Sequence, residues 1–212
     1  MVLFGYHYSV YTRTVRMVLN MKSAAYTFED VDPFDPENSD NMQALHPFSR
    51  VPALHVGAFQ LYETQAILDY LEGITAEPRL CPEEPERAAR MRQVMSIADS
   101  YFYWPLVRQT VSQHVFNPAS GEPVDAAELA TGIAAAPRVL DALEDLAAEI
   151  LVPDQVTLAD CYLWPMMDYA VMVPDLAELV AARPRLAAWC DAMAAHPAAE
   201  ATKPDMEALC DG

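Results

Sequence analysis

Apolar and polar positions change their rhythm once along the chain, near residue 75. Before that point short apolar runs alternate with helical stretches. Val2 to Tyr6 is a strand candidate, and after Ser9 the residues Val15, Met17, Val18, Leu19 and Met21 recur at helical spacing through Lys22. Tyr26 to Val31 reads as a second strand, and Asp32-Pro33-Phe34-Asp35-Pro36 breaks the chain after it. Glu37 to Leu45 supports at best a short, irregular helix. Ala53 to Val56 and Phe59 to Tyr62 read as two strands around a turn at Gly57, and Glu63-Thr64 open an apolar-periodic helix ending near Gly73. The predicted order is β-α-β-α-β-β-α.

From Ile74 to Pro85 the composition shifts to Pro, Glu and Ala, and Pro78, Pro82 and Pro85 exclude a continuous helix. No strand pattern follows. Glu86 to Val115 is long and amphipathic, with Pro105 expected to kink or break it near Trp104. Asn117 to Pro123 reads as a loop. Asp125 to Ile150 is helical around Pro137, either as one interrupted helix or as two abutting ones. Thr157 starts another helix, Leu176 to Ala182 forms a short one, and Pro184 to His196 forms the last long one, stopped by Pro197. The pattern predicts an α/β domain over 1–75, a linker over 76–85 and an all-helical domain over 86–212.

The stretch from His46 to Thr64 is the most specific. Pro52 lacks the N–H that a sheet ladder needs, so it belongs at an edge or a strand start, and a cis Val51–Pro52 bond is predicted to turn the chain there. The helix opening at Glu63-Thr64 presents free N–H groups and a positive dipole, which suits a carboxylate ligand.

Composition narrows the partners. With 212 residues and a 53% hydrophobic fraction the chain buries a core. Its formal charge of −18 repels phosphate backbones and anionic membranes, so nucleic acid is a poor partner. No basic leader precedes an apolar stretch near Met1 and no apolar run approaches the ~20 residues of a membrane span, so a soluble, cytoplasmic protein is expected. Cys81, Cys161, Cys190 and Cys210 are too scattered for a zinc knuckle or a redox pair; they read as unbridged thiols, and no metal site is expected.

Separated segments, in order, carry a family likeness. Ser9-Val-Tyr-Thr-Arg13-Thr-Val-Arg16, Ser49-Arg-Val-Pro-Ala-Leu54, Glu63-Thr64-Gln-Ala-Ile67, Thr157-Leu-Ala-Asp160 and Pro184-Arg-Leu-Ala-Ala-Trp189 together resemble the cytosolic glutathione transferases, in a serine-type, bacterial-looking form. The resemblance implies a thioredoxin-like α/β domain followed by an all-α domain, glutathione as co-substrate, a small hydrophobic electrophile as second substrate, a role in detoxification and a homodimer.

It also implies roles. Conjugation needs a thiolate, and lowering a thiol pKa of ~8.5 by two units takes about 2.7 kcal/mol of selective anion stabilisation. Ser9, between the first strand and the first helix, is implied as the hydroxyl that donates to the sulfur, with Tyr6, Tyr8 and Tyr11 as rivals; a plain helix cap is the other reading of Ser9. Val51, before Pro52, is implied to pair its backbone with the cysteinyl unit. Thr64 is implied on the γ-glutamyl carboxylate, Glu63 on its ammonium and Arg50 on the glycine carboxylate, although capping alone also accounts for Thr64. The electrophile is expected between the domains, against Tyr8, Tyr11, Tyr101, Trp104 and Arg108. Tyr101 and Trp104 share a helical face that Phe102 and Tyr103 do not. Asp99 resembles an acid that in some classes reaches the partner subunit's site. His46 and His55 read as surface or packing residues, and Thr157 with Asp160 as a capping box. A binding or regulatory protein with this fold and little turnover is the alternative to an enzyme. A thiol oxidoreductase is disfavoured, because Ser9 stands where cysteine-type relatives carry their nucleophile.

Overall fold

The computed structural model describes residues 1–151 and 155–208, so Cys210 lies outside the described residues. The chain forms two compact units: Met1–Leu80 with Pro197–Pro204, and Cys81–His196 with the segment from Asp205.

In the first unit, β1 (Val2–Gly5), β2 (Thr27–Asp30), β3 (Ala53–Val56) and β4 (Phe59–Tyr62) form one sheet in the order β2-β1-β3-β4. β1 runs parallel to β2 and antiparallel to β3, and β3 pairs antiparallel with β4. The helices are α1 (Val10–Met21), α2 (Ser39–Leu45, after a 3₁₀ turn at Pro36–Asn38) and α3 (Thr64–Ile74). The predicted order therefore holds, with both strands of the β3–β4 hairpin where the alternation puts them. Leu3 and Leu54 face each other across β1 and β3 and are fully buried, as are Val15, Val18 and Leu19 of α1 and Ile67, Leu68 and Leu71 of α3. Burying a side chain of this kind contributes about 2 kcal/mol. Gly5 lets α1 approach the strand, since a Cβ there would collide with the side chain of Thr12.

A buried polar knot closes this unit. Lys22, just past the end of α1, has no exposed side-chain surface, and its ammonium donates to the carbonyls of Thr75 (2.8 Å) and Pro78 (3.0 Å) and pairs with Glu72 Oε1 at 2.6 Å. Glu72 also accepts the Leu80 N–H at 3.3 Å. All three ammonium protons thus have acceptors, the condition for tolerating a buried cation. The Glu77–Pro78 bond within this segment is cis.

The segment 197–204, which the helical pattern assigns to the second domain, belongs instead to the first. There α10 (Pro197–Ala201) packs with α1, and the buried Arg13 guanidinium donates to the Ala199 carbonyl at 3.2 Å. A buried cation recruits a carbonyl of a short helix, a pairing invisible to local periodicity.

The second unit contains no strand among its described residues. It comprises α4 (Pro85–Ile97), a π-helix (Ala98–Phe116), the short turn α5 (Asn117–Ala119), α6 (Ala126–Ala147), α7 (Leu158–Ala170), α8 (Pro174–Ala181) and α9 (Pro184–Ala194). Of the two outcomes expected at Pro105, a kink or a break near Trp104, the break does not occur, and the helix runs through. The turns widen: the Asn117 N–H reaches Ser112 O, and the hydroxyls of Thr110 and Ser112 bond the carbonyls five residues back, Pro105 O at 2.8 Å and Val107 O at 3.2 Å. An extra residue per turn separates the proline ring from the carbonyl it would strike in an α-helix. Pro137 likewise sits inside one continuous α6, whose N-terminus Asp125 caps by accepting the N–H groups of Ala127 and Glu128. At Gly132, α6 lies so close to the π-helix that a Cβ would collide with Thr110 Oγ1 and the Pro105 carbonyl.

Thr157 and Asp160 form the predicted capping box on α7. Asp160 does more than cap: it is 1% exposed, and its second oxygen accepts the Trp189 indole N–H at 2.8 Å, tying α7 to α9. No helix among the described residues is long and apolar enough to cross a membrane.

Candidate functional site

The sheet register decides which predicted residues meet. Ala53 pairs with Phe4 on one side and Tyr62 on the other, so the C-terminal end of β1, the start of β3 and the end of β4 lie side by side. One step beyond that row come the β1–α1 loop with Tyr6, Tyr8 and Ser9, the Arg50-Val51-Pro52 segment, and Glu63-Thr64. Two helices, α1 and α3, begin at this same end of the sheet. Each N-terminus carries roughly half a positive charge and unpaired N–H groups, so an otherwise acidic protein concentrates anion-attracting potential there.

Ser9 is the N-cap of α1, because the helix begins at Val10. Its Oγ accepts the Thr12 N–H at 3.3 Å and its N–H bonds Tyr6 O at 2.9 Å. Capping uses an oxygen lone pair and leaves the hydroxyl proton for another acceptor, so cap and sulfur donor are compatible roles. Tyr6 is a poor source of a phenolate: burial, followed by Asp32, Tyr8 and Asp30, pushes its hydroxyl up to about 12. Its ring stands edge-on to Tyr8 (5.4 Å) and Phe34 (6.0 Å). Phe34 was not among the sequence candidates, because it sits in a Pro/Asp-rich break without periodicity. Tyr11 lies in the first turn of α1, half-buried.

The Val51–Pro52 bond is cis, with Pro52 buried, Val51 half-buried and Arg50 exposed. Glu63 has φ +70° and ψ 118°, a sparsely populated region that costs a non-glycine residue about 1–3 kcal/mol and marks functional positions more often than neutral ones. Thr64 is the first residue of α3 and is 7% exposed; the N-cap position is Glu63, whose side chain makes no capping bond. The capping reading of Thr64 therefore fails on position, since a first-turn hydroxyl sits one residue too late.

His46 takes the packing alternative of the sequence reading, with polar contacts besides. It is buried, with Nδ1 accepting the Phe48 N–H at 3.2 Å and Nε2 3.6 Å from Glu63 Oε1. Burial lowers its pKa, with Glu63 opposing and Arg50 adding to the effect. His55 is a packing residue, its ring 4.7 Å from Phe4.

The remaining candidates lie in the second unit. Tyr101 and Trp104 are exposed, Arg108 is half-buried, and Phe102 is fully buried in the core, the split that helical spacing demands. Asp99 accepts the buried Tyr162 hydroxyl with both oxygens, at 2.8 and 2.9 Å.

Comparisons with known proteins follow this division of the chain. Residues 3–79 match the family described as "Glutathione S-transferase, N-terminal domain" and residues 126–192 match "Glutathione S-transferase, C-terminal domain". The chain is similar to glutathione S-transferase PARB of Nicotiana tabacum, at 30% identity over 90% of this chain and 91% of the relative, and to glutathione S-transferase 3 of Zea mays, at 31% identity over 94% and 91%. Among solved structures it resembles glutathione S-transferase III in apo form, with a TM-score of 0.80 and 30% identity over 95% of this chain and 94% of that one. The two sequence relatives are plant proteins, so the serine-type, bacterial look of the sequence gains no support from them.

Proposed function

Because the chain belongs to the glutathione S-transferase family, we propose that it joins the glutathione thiolate to small hydrophobic electrophiles, with Ser9 activating the sulfur. The carrying observation is the shared sheet end, where the Ser9 hydroxyl, the cis Val51–Pro52 bond and the starts of α1 and α3 converge.

Glutathione lies along that end as an extended peptide. The Val51 backbone pairs with its cysteinyl unit in the manner of an added strand, against Pro52. The buried Thr64 hydroxyl and the free N–H groups of α3 hold the γ-glutamyl carboxylate, and the exposed Glu63 carboxylate takes the ammonium. Arg50 pairs with the glycine carboxylate. The sulfur then faces the start of α1, where the Ser9 O–H donates to it and the helix dipole favours its negative charge. Ser9 acts as donor and not base, its own pKa being far above neutrality. Tyr6, with its proton held more tightly by burial, and Tyr11 are the alternative donors. The thiolate attacks the electrophilic carbon; the leaving group departs from that carbon, or an epoxide or double bond opens. Tyr8 and Tyr11, next to Ser9 in the chain, offer aromatic surface to this substrate, and Tyr101, Trp104 and Arg108 of the π-helix are the other candidate substrate residues. A cytoplasmic homodimer engaged in detoxification completes the proposal.

Two substitutions test it together. Ser9→Ala removes both cap and donor, whereas Ser9→Gly keeps most of the capping energy and removes the donor. Both are expected to lower conjugation at least about tenfold and to raise the pKa of the bound thiol, read from thiolate ultraviolet absorbance against pH. Unchanged turnover in both would transfer the role to Tyr6 or Tyr11. Glutathione binding with no turnover on a panel of aryl halides, epoxides and peroxides would favour a binding protein.

A further inference from the structure

We propose that His46 is a positioning residue for glutathione, linking the loop that leads to Pro52 with the Glu63 carboxylate. The proposal rests on Glu63 serving as a glutathione ligand.

The tautomer follows from geometry. Nδ1 accepts the Phe48 backbone N–H, so it carries no proton, and the neutral ring bears its proton on Nε2. That nitrogen is the one 3.6 Å from Glu63 Oε1, a short adjustment from a hydrogen bond. The ring is fixed on both sides: Tyr62, which precedes Glu63, packs on it at 4.7 Å, and Phe48 lies 5.9 Å away. The main chain of the same residue shapes the loop as well, its carbonyl accepting the Ser49 N–H at 2.8 Å. One side chain thus spans the two strand ends, β3 and β4, that carry the two ends of the bound tripeptide.

The need for such a strut comes from Glu63 itself. Its backbone adopts a positive φ while its side chain is 63% exposed, so a restrained main chain carries an otherwise mobile carboxylate. Aiming that carboxylate before the ligand arrives reduces the entropy lost on binding. Burial keeps the imidazole neutral at pH 7; the charged groups acting on it are Glu63 and Arg50. A protonated ring would turn an N–H toward that of Phe48 and break the loop anchor.

Calorimetric glutathione titrations of wild type, His46→Asn, His46→Gln, Glu63→Gln and the double variant H46N/E63Q separate the possibilities. The Asn oxygen replaces Nδ1 toward Phe48 but does not reach Glu63; the Gln amide reaches Glu63 and forgoes the Phe48 bond. H46N is expected to weaken glutathione about fivefold and raise its KM with kcat near wild type, while H46Q stays within about twofold. Because His46 acts through Glu63, the double variant should bind no worse than E63Q. H46N binding like wild type beside a weakened E63Q, or a double variant showing the product of both losses, overturns the proposal alone. E63Q binding like wild type sinks the reading of Glu63 and the proposal with it. If H46N does not fold, an H46Q loss as large as that of E63Q overturns the proposal.

Discussion

Replacing Asp160 by Asn asks how the helical unit bears a buried charge. The carboxylate is 1% exposed, with Oδ1 accepting Trp189 Nε1–H at 2.8 Å and Oδ2 accepting the Thr157 N–H at 2.7 Å and its hydroxyl at 2.8 Å. Burial nevertheless prevails over these bonds and pushes the carboxyl from 3.8 up to about 6. The folded form therefore binds the proton more tightly than the unfolded chain does. The associated stability is fully present below pH 3.8 and is lost as pH rises through 6; two units correspond to about 3 kcal/mol. Asn removes that charge cost, but its NH2 must face either the indole N–H or the Thr157 donors. One donor is left unsatisfied, about 1–3 kcal/mol, as it also is beside the protonated carboxyl. Between pH 7 and pH 4 the difference should shift by about 2–3 kcal/mol in favour of wild type, which recovers its charge cost while the variant has nothing to recover. Urea unfolding from pH 7 to 4 followed by tryptophan fluorescence measures this, since Trp104, Trp164 and Trp189 all belong to the second unit. A difference that stays flat or shrinks on acidification would refute the reasoning, because it would mean that the three bonds outweigh burial and hold the carboxyl below its ordinary pKa.

Lys22→Met leaves the Thr75 and Pro78 carbonyls and the Glu72 carboxylate without their cation, and is expected to cost about 3–5 kcal/mol, read as early loss of amide protection in α1 and α3 by hydrogen exchange. Gly132→Ala gains about 1 kcal/mol of helix propensity yet drives a methyl into Thr110 and the Pro105 carbonyl, so the urea midpoint of the helical unit should fall, and a rise would show that α6 and the π-helix separate freely. Ser9→Ala should unfold about 1 kcal/mol more easily than Ser9→Gly while both lose conjugation to the same extent; activity that instead tracks the urea midpoint would make Ser9 a cap only.

The features that sequence predicted well are those whose physics is local. The β3–β4 hairpin is written in two alternating runs around Gly57, α3 in the spacing of Ile67, Leu68 and Leu71, and the cis bond in the single residue type that tolerates it. Ser9, Pro52, Glu63 and Thr64 likewise sit at element boundaries that their neighbours define, while the roles proposed for them come from the family resemblance. What escaped depends on partners far along the chain. Lys22 looks like the polar end of an amphipathic helix until Glu72, Thr75 and Pro78, more than fifty residues on, enclose it. Arg13 looks like an interleaved surface charge until Ala199 accepts from it, which also moves 197–204 out of the helical unit. Pro105 is a different case: of the expected kink or break, the break assumes α geometry, and wider turns remove the collision on which it depends.

His46 falls between the two kinds. Its loop bond to Phe48 is two residues away and could be guessed from the turn around Pro47, but Glu63 is brought beside it only by the pairing of β3 with β4. The same pairing brings together, from pieces that are separately ambiguous, the residues of the proposed glutathione site. Ser9 alone is a cap, Pro52 alone a turn, and Thr64 alone the first residue of a helix. Registered by Phe4, Ala53 and Tyr62, they lie at one end of a four-stranded sheet, the arrangement on which the proposed glutathione site rests, and Glu63 turns the chain from β4 into α3 at a positive φ. In the proposed mechanism strand register thus matters as much as the Ser9 hydroxyl, because it sets which segments lie beside the start of α1.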